Sequence, residues 1–158
     1  MPNHFHLAVR MKDVQSLEDL QGFPNLQGFE NLEGLNNIAH FYSQQFSNFF
    51  NAYTKAFNKQ QNRRGGLFIP SFERKIIDDD KYFRELIHYI HFNPVHHGFV
   101  SDLRDWKYSS FESFFSNKST QLARQEVISW FENKENFWAF HQKEIDCKMA
   151  LELEALDD

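Results

Sequence analysis

Ile38, Tyr42, Phe46, Phe49, Phe50, Tyr53 and Phe57 recur at steps of three and four residues. That period puts one aromatic stripe on one side of a helix, and the spacing predicts a helix over 37–60. Asn36 or Asn37 is placed to cap its N-terminus. A second face carries Gln44, Ser47, Asn51, Thr54 and Asn58, with Lys55 and Lys59 beside it. A stripe this rich in rings must be covered by something. The chain has 158 residues and 19 phenylalanines, enough for one domain with a real core.

The remaining segments are read around that helix. In residues 4–10, HFHLAVR, Phe5, Leu7 and Val9 fall on one face and His4 and His6 on the other, which predicts a strand. Residues 13–37 hold a six-residue repeat, LQGFPN, LQGFEN and LEGLNN, and read as a low-complexity insertion with turn chemistry. QNRRGG, 61–66, reads as a loop. LFIPSFERKII, 67–77, has strand composition, with Pro70 confining it to an edge or a bulge. A second helix is expected over 79–93, capped within Asp78, Asp79 and Asp80 and buried through Tyr82, Phe83, Leu86, Ile87 and Ile90. Pro94 is expected to end it at Asn93. Gly98 reads as a turn residue, and Ser109 with Glu112 as a capping box. Residues 121–158 read as two acidic helices, the last over about 142–157. The expected division is 1–120 as the main domain and 121–158 as an acidic helical C-terminal extension.

Charge narrows the partners. The net charge is −5, yet residues 51–77 set Lys55, Lys59, Arg63, Arg64, Arg74 and Lys75 against Glu73 alone. Screening makes nearby charge count most, so this local patch can meet phosphate despite the overall sign. A solvated basic turn has the same composition. Cys147 is the only cysteine, which excludes an internal disulfide and a thiolate metal cage and fits a reducing cytosol. No apolar run approaches the ~20 residues that span a bilayer, so no membrane partner is expected.

Two pairs of residues could carry chemistry. On a strand, His4 and His6 point the same way and can converge on one divalent ion; two half-exposed histidines would look identical in sequence. In YIHFNPVHHG, 89–98, Tyr89 and Asn93 share a helix face. A tyrosine hydroxyl, of pKa about 10, is a poor nucleophile unless an ion polarises its target, and an amide oxygen is a hard ligand for such an ion. Equally, Tyr89 could be a core aromatic and Asn93 a helix end before proline. His91, His96 and His97 read as surface or DNA-proximal histidines without a role.

Taken together, MPNHFHL, AYTKAFN at 52–58, GGLF with a following Phe at 65–72, DDDKYFRELIHYIHFNPVHHGFV at 78–100 and WKYSS at 106–110 resemble the single-tyrosine HUH transposases. The REP-associated tyrosine transposases and their insertion-sequence relatives are the nearest in type. The resemblance covers about 1–12 and 38–140. It implies an α+β fold, a small antiparallel sheet with helices packed on it. In the family a strand and a helix precede the His-x-His strand, so the resemblance also implies an N-terminally truncated version; a homodimer is one way to close such a sheet. His4 and His6 match two ligands of Mg²⁺ or Mn²⁺, Asn93 the third, and Tyr89 the nucleophile. The implied reaction is attack on single-stranded hairpin DNA, giving a 5′-phosphotyrosine and a free 3′-hydroxyl. Lys55, Lys59, Arg63, Arg64, Arg74 and Lys75 are DNA-contact candidates on charge and position alone. A DNA-binding remnant without catalysis is the competing reading. A water-using phosphodiesterase ranks last, since few further ligands can be placed near His4 and His6.

Overall fold

The computed structural model describes residues 5–11, 35–68, 74–143 and 145. These fall into two compact units, one built from 1–8 and 73–158 and the other from 9–72. The second unit is dominated by α1, Leu35–Gln60. The first holds α2, Asp80–His96, two 3₁₀ turns at Leu103–Asp105 and Phe111–Phe114, α3, Arg124–Ser129, and α4, Lys134–His141. The repeat at 13–37 lies outside the described residues up to 34, as do the strand residues 69–73 and most of the helix expected over 142–157.

α1 forms where the aromatic spacing requires it. Its stripe is knitted by ring contacts, Phe46 on Phe50 and Tyr53 on Phe57, both stacked, and Phe68 returns against Phe50 and Tyr53 at 5.0 and 5.9 Å. The helix stops at a left-handed residue, Asn62, of φ 49°. The QNRRGG loop then folds back: Asn58 Nδ2 donates to the Gly65 carbonyl at 2.8 Å, and the Arg63 guanidinium to the Gly66 carbonyl at 3.1 Å. Gly65, of φ 94°, supplies the backbone conformation this return needs.

α2 begins at the anticipated cap, where the Asp79 carboxylate accepts from the Tyr82 N–H at 2.7 Å. It does not end at Asn93. The helix continues through Pro94 to His96, and the His97 N–H reaches the Asn93 carbonyl at 3.0 Å. Proline removes one helical bond and crowds the carbonyl four residues back, but tertiary packing outweighs that cost here, because both Asn93 and Pro94 are buried. Gly98, of φ 72°, then makes the expected turn.

One face of α2 joins the main core. Ile87, Leu103, Phe111, Phe114, Phe131 and Phe137 are buried together, with Phe83, Phe92, Val95, Val127, Ile128 and Phe140 packed around them. Phe137 touches the rings of Phe111, Phe114, Phe131 and His141. Side-chain caps and clamps set the short elements around this core. Asn133 caps α4 at the Asn136 N–H, 2.7 Å away. The Arg124 guanidinium holds the carbonyls of Ser113, Ser116 and Lys118, tying the loop to the start of α3. Ser109 does accept a backbone N–H, but that of Phe111, and the element it opens is a 3₁₀ turn without a return bond from Glu112.

The expected α+β architecture is not what the chain shows. Among the described residues there is no strand and no sheet, and the structure is helical. Residues 5–11 and 74–79 run without helix or strand pairing. Period-two patterning marks which side chains share a face, yet a strand also needs a neighbour to take its backbone bonds, and none of the described segments supplies one. In this segment Phe5, Leu7 and Val9 are exposed, and His6 is half-buried. No helix among the described residues is long and apolar enough to cross a membrane.

Candidate functional site

The face of α2 away from the main core carries Tyr82, Leu86, Tyr89 and Asn93 at helical steps of four, three and four. Tyr89 is 1 % exposed and packs with Tyr82, Leu86 and Ile145. Asn93 is fully buried, one turn further on. His6 comes to this pair from the N-terminal segment. The Asn93 amide Nδ2 donates to His6 Nε2 at 3.3 Å, across 87 residues of sequence. The His6 ring meets Tyr89 edge-on, with centroids 5.6 Å apart. Three of the residues singled out from sequence therefore converge. His4 lies outside the described residues.

The donor set suits a hard divalent ion. Asn93 Oδ1 is buried and has no hydrogen-bond partner among the described residues, which is costly for a lone amide oxygen unless something else occupies it. Two neighbouring ligands of an octahedral ion, with bonds of about 2.1 Å, lie roughly 3 Å apart. The 3.3 Å between the Asn93 amide and His6 Nε2 is close to that spacing. A half-turn of the amide exchanges its oxygen and nitrogen. Among the described residues, no group of three or more histidine, cysteine, aspartate and glutamate side chains could hold a metal.

The basic candidates are all exposed. Lys55, Lys59, Arg63 and Arg64 belong to the α1 unit; Arg74 and Lys75 belong to the α2 unit. Arg63 and Lys75 also make structural contacts. Arg63 lies over the Phe57 ring, 5.8 Å from its centroid, besides holding Gly66. Lys75 sits 4.5 Å from the Tyr82 ring centroid, on the face that bears Tyr89.

Behind Tyr89 lies a histidine cluster the sequence reading missed. His91 is not a surface residue: it is buried, with Nε2 2.9 Å from Ser110 Oγ and Nδ1 2.9 Å from His141 Nε2. His141 Nδ1 donates to the Phe137 carbonyl at 2.8 Å. His88 is buried against Phe92, Phe140 and His141. Burial lowers His88 to about 4, helped by the nearby Lys143 charge, and lowers His141 to about 4. His91 is held well below the usual histidine range by burial and then by its histidine neighbours. The available signal was spacing: Phe83, Ile87 and His91 continue the buried stripe at four-residue steps. His96 and His97 are exposed, as expected.

Comparison with known proteins gives one partial likeness. A 54-residue segment is 43 % identical to a protein of Haemophilus influenzae (strain ATCC 51907 / DSM 11121 / KW20 / Rd) named as a REP-associated tyrosine transposase. That segment is 34 % of this chain and 31 % of the relative, so the chain matches about a third of that protein's length. No family model and no solved structure matches the chain.

Proposed function

We propose that the chain is a DNA strand transferase of the transposase type, with Tyr89 as nucleophile and His6 and Asn93 as ligands of Mg²⁺ or Mn²⁺. His4 is proposed as the third ligand from the resemblance. The observation that carries the reading is the convergence of His6, Tyr89 and Asn93, brought together by folding from opposite ends of the catalytic stretch. The partial likeness to a protein named as a transposase points the same way.

The proposed substrate is single-stranded hairpin DNA. Tyr89 Oη would attack a backbone phosphorus; the bond to the 3′ oxygen would break, leaving a 5′-phosphotyrosyl link and a 3′-hydroxyl that takes up the proton. A bound divalent ion would supply the positive charge that polarises the phosphate. Asn93 and His6 would fix its place beside the tyrosine, and the low-dielectric surroundings would strengthen that charge. Tyr89 is buried in this structure, so a phosphate reaches it only when the packing of Leu86 and Ile145 opens. The exposed Lys55, Lys59, Arg64, Arg74 and Lys75 would contact the phosphate backbone, with Arg63 contributing from its loop.

The test is a denaturing gel. Wild type with Mn²⁺ and labelled hairpin DNA from the flanks of its own gene should give a covalent band. Tyr89→Phe should abolish it, and Asn93→Ala should reduce it at least tenfold at limiting metal. The burial of Tyr89 favours a second reading, binding without cleavage. That reading predicts salt-sensitive binding, no band, and no metal dependence.

A further inference from the structure

We propose that Ser110, His91 and His141 are positioning residues that lock the rotation of α2 at its proline and thereby hold Asn93 and Tyr89 toward His6. The proposal rests on the strand-transfer reading for what those two side chains do. The order of the protons follows from geometry. The Phe137 carbonyl can only accept, so His141 Nδ1 carries the proton. In the neutral ring Nε2 is then an acceptor, and His91 Nδ1, 2.9 Å away, must donate to it. That leaves His91 Nε2 to accept from the Ser110 hydroxyl at 2.9 Å. The Ile87 backbone is a further hydrogen-bond partner of the His141 ring and ties it to α2 as well. Both histidines are Nδ1–H tautomers.

A serine bonded to a histidine that is bonded in turn to a third group has the connectivity of a nucleophilic triad. The third group here decides against that role. The relay ends on a neutral carbonyl rather than a carboxylate, and both rings are buried. The backbone carbonyls that bond the His141 ring favour the imidazolium a base must become, but burial opposes it more strongly. What remains is a rigid bolt from α2 to the 3₁₀ turn at Phe111–Phe114 and to α4.

Its position explains its use. Pro94 has no N–H, so the Ile90 carbonyl loses its helical partner between Tyr89 and Asn93. His91 lies in that gap, two residues from each and so about 200° around the helix from both. Pinning both of its nitrogens fixes the angle at which Tyr89 and Asn93 leave on the other side. A roll of about 20° would carry an atom about 6 Å from the axis through about 2 Å, and reacting groups lose rates of about a hundredfold for misplacements of about 1 Å.

The experiment uses the full chain in four forms: wild type, Ser110→Ala, Ser110→Thr and, as a control for general loosening, Val127→Ala, at a side chain that packs on the core away from the relay. Hydrogen exchange of the peptide spanning 86–96 and the Mn²⁺ midpoint for covalent-band formation are read together. Ser110→Ala should speed exchange at 90–93 at least fivefold and raise the Mn²⁺ midpoint at least fivefold. Ser110→Thr should restore both, and Val127→Ala should leave the midpoint unchanged. Ser110→Ala exchange at 90–93 equal to wild type overturns the proposal, as does a Val127→Ala midpoint shifted as far as that of Ser110→Ala. A wild type that forms no covalent band counts against the strand-transfer reading alone. The relay is then judged by exchange and by the ¹⁵N spectra of the rings, where a proton on Nε2 of His91 or His141 overturns it.

Discussion

α1 and α2 are both helices with an aromatic stripe, yet they differ in what the stripe does. On α1 the rings contact one another and Phe68, while Phe49 and Tyr53 stay 53 % and 50 % exposed. On α2 the second half is enclosed on nearly every side: Ile87, His88, Tyr89, His91, Asn93 and Pro94 are all buried. α2 is therefore held by long-range packing, which can tolerate a proline in mid-helix and fix the angles of polar side chains. α1 is held by local spacing and by the loop that closes its end. A site that needs exact placement of a tyrosine and an amide belongs on the first kind of element.

The largest test of that contrast is a pair of truncations. Phe137→Ala, at a fully buried ring in the main core, should cost about 3–5 kcal/mol. Phe49→Ala, on the exposed stripe of α1, should cost about 1 kcal/mol or less. Urea unfolding followed by circular dichroism measures both, and equal losses would erase the distinction.

Acid sharpens it next. His88 and His141 have folded values near 4 against an ordinary 6.5. Burial favours the neutral rings, so the unfolded chain binds more protons between those values. Stability is then full above about pH 6.5 and is lost as pH falls toward 4. At pH 5.5 the loss should be about 1 kcal/mol per ring relative to pH 7. Urea midpoints at the two pH values read it, and His141→Gln should flatten part of the dependence. A midpoint indifferent to pH in that window would mean that these rings are not buried neutral.

The smallest expected effect is at the start of α2. Asp79→Ala removes the acceptor for the Tyr82 N–H and should cost about 1 kcal/mol. Asp79→Asn should recover most of it. The same chemical denaturation measures the loss, and no change would put the cap's contribution below that of the packing that follows it.

What could be read from sequence follows the range of the interactions. α1 was legible because aromatic spacing is local, and the N-cap of α2 because Asp79 acts three residues away. The end of α2 was misjudged because a local rule about Pro94 lost to packing from outside the helix. The sheet implied by the resemblance is absent among the described residues, and alternation at 4–10 names faces of a strand without naming a partner. At the site, Tyr89, Asn93 and His6 were identified together through a resemblance in motif, and the structure brings those three into one place. The relay was illegible because His91 and His141 meet across 50 residues; the four-residue step from Ile87 marks His91 as a buried position but names no partner for it.

The most direct measurement of the central claim is mass spectrometry of the covalent product. The chain would be incubated with Mn²⁺ and hairpin DNA, digested with nuclease and protease, and the α2 peptide sequenced. A nucleotide phosphate carried on Tyr89, absent without metal, is the predicted result. No modified peptide, or a nucleotide on Tyr82 or any other residue, would contradict the assignment of Tyr89 as the nucleophile.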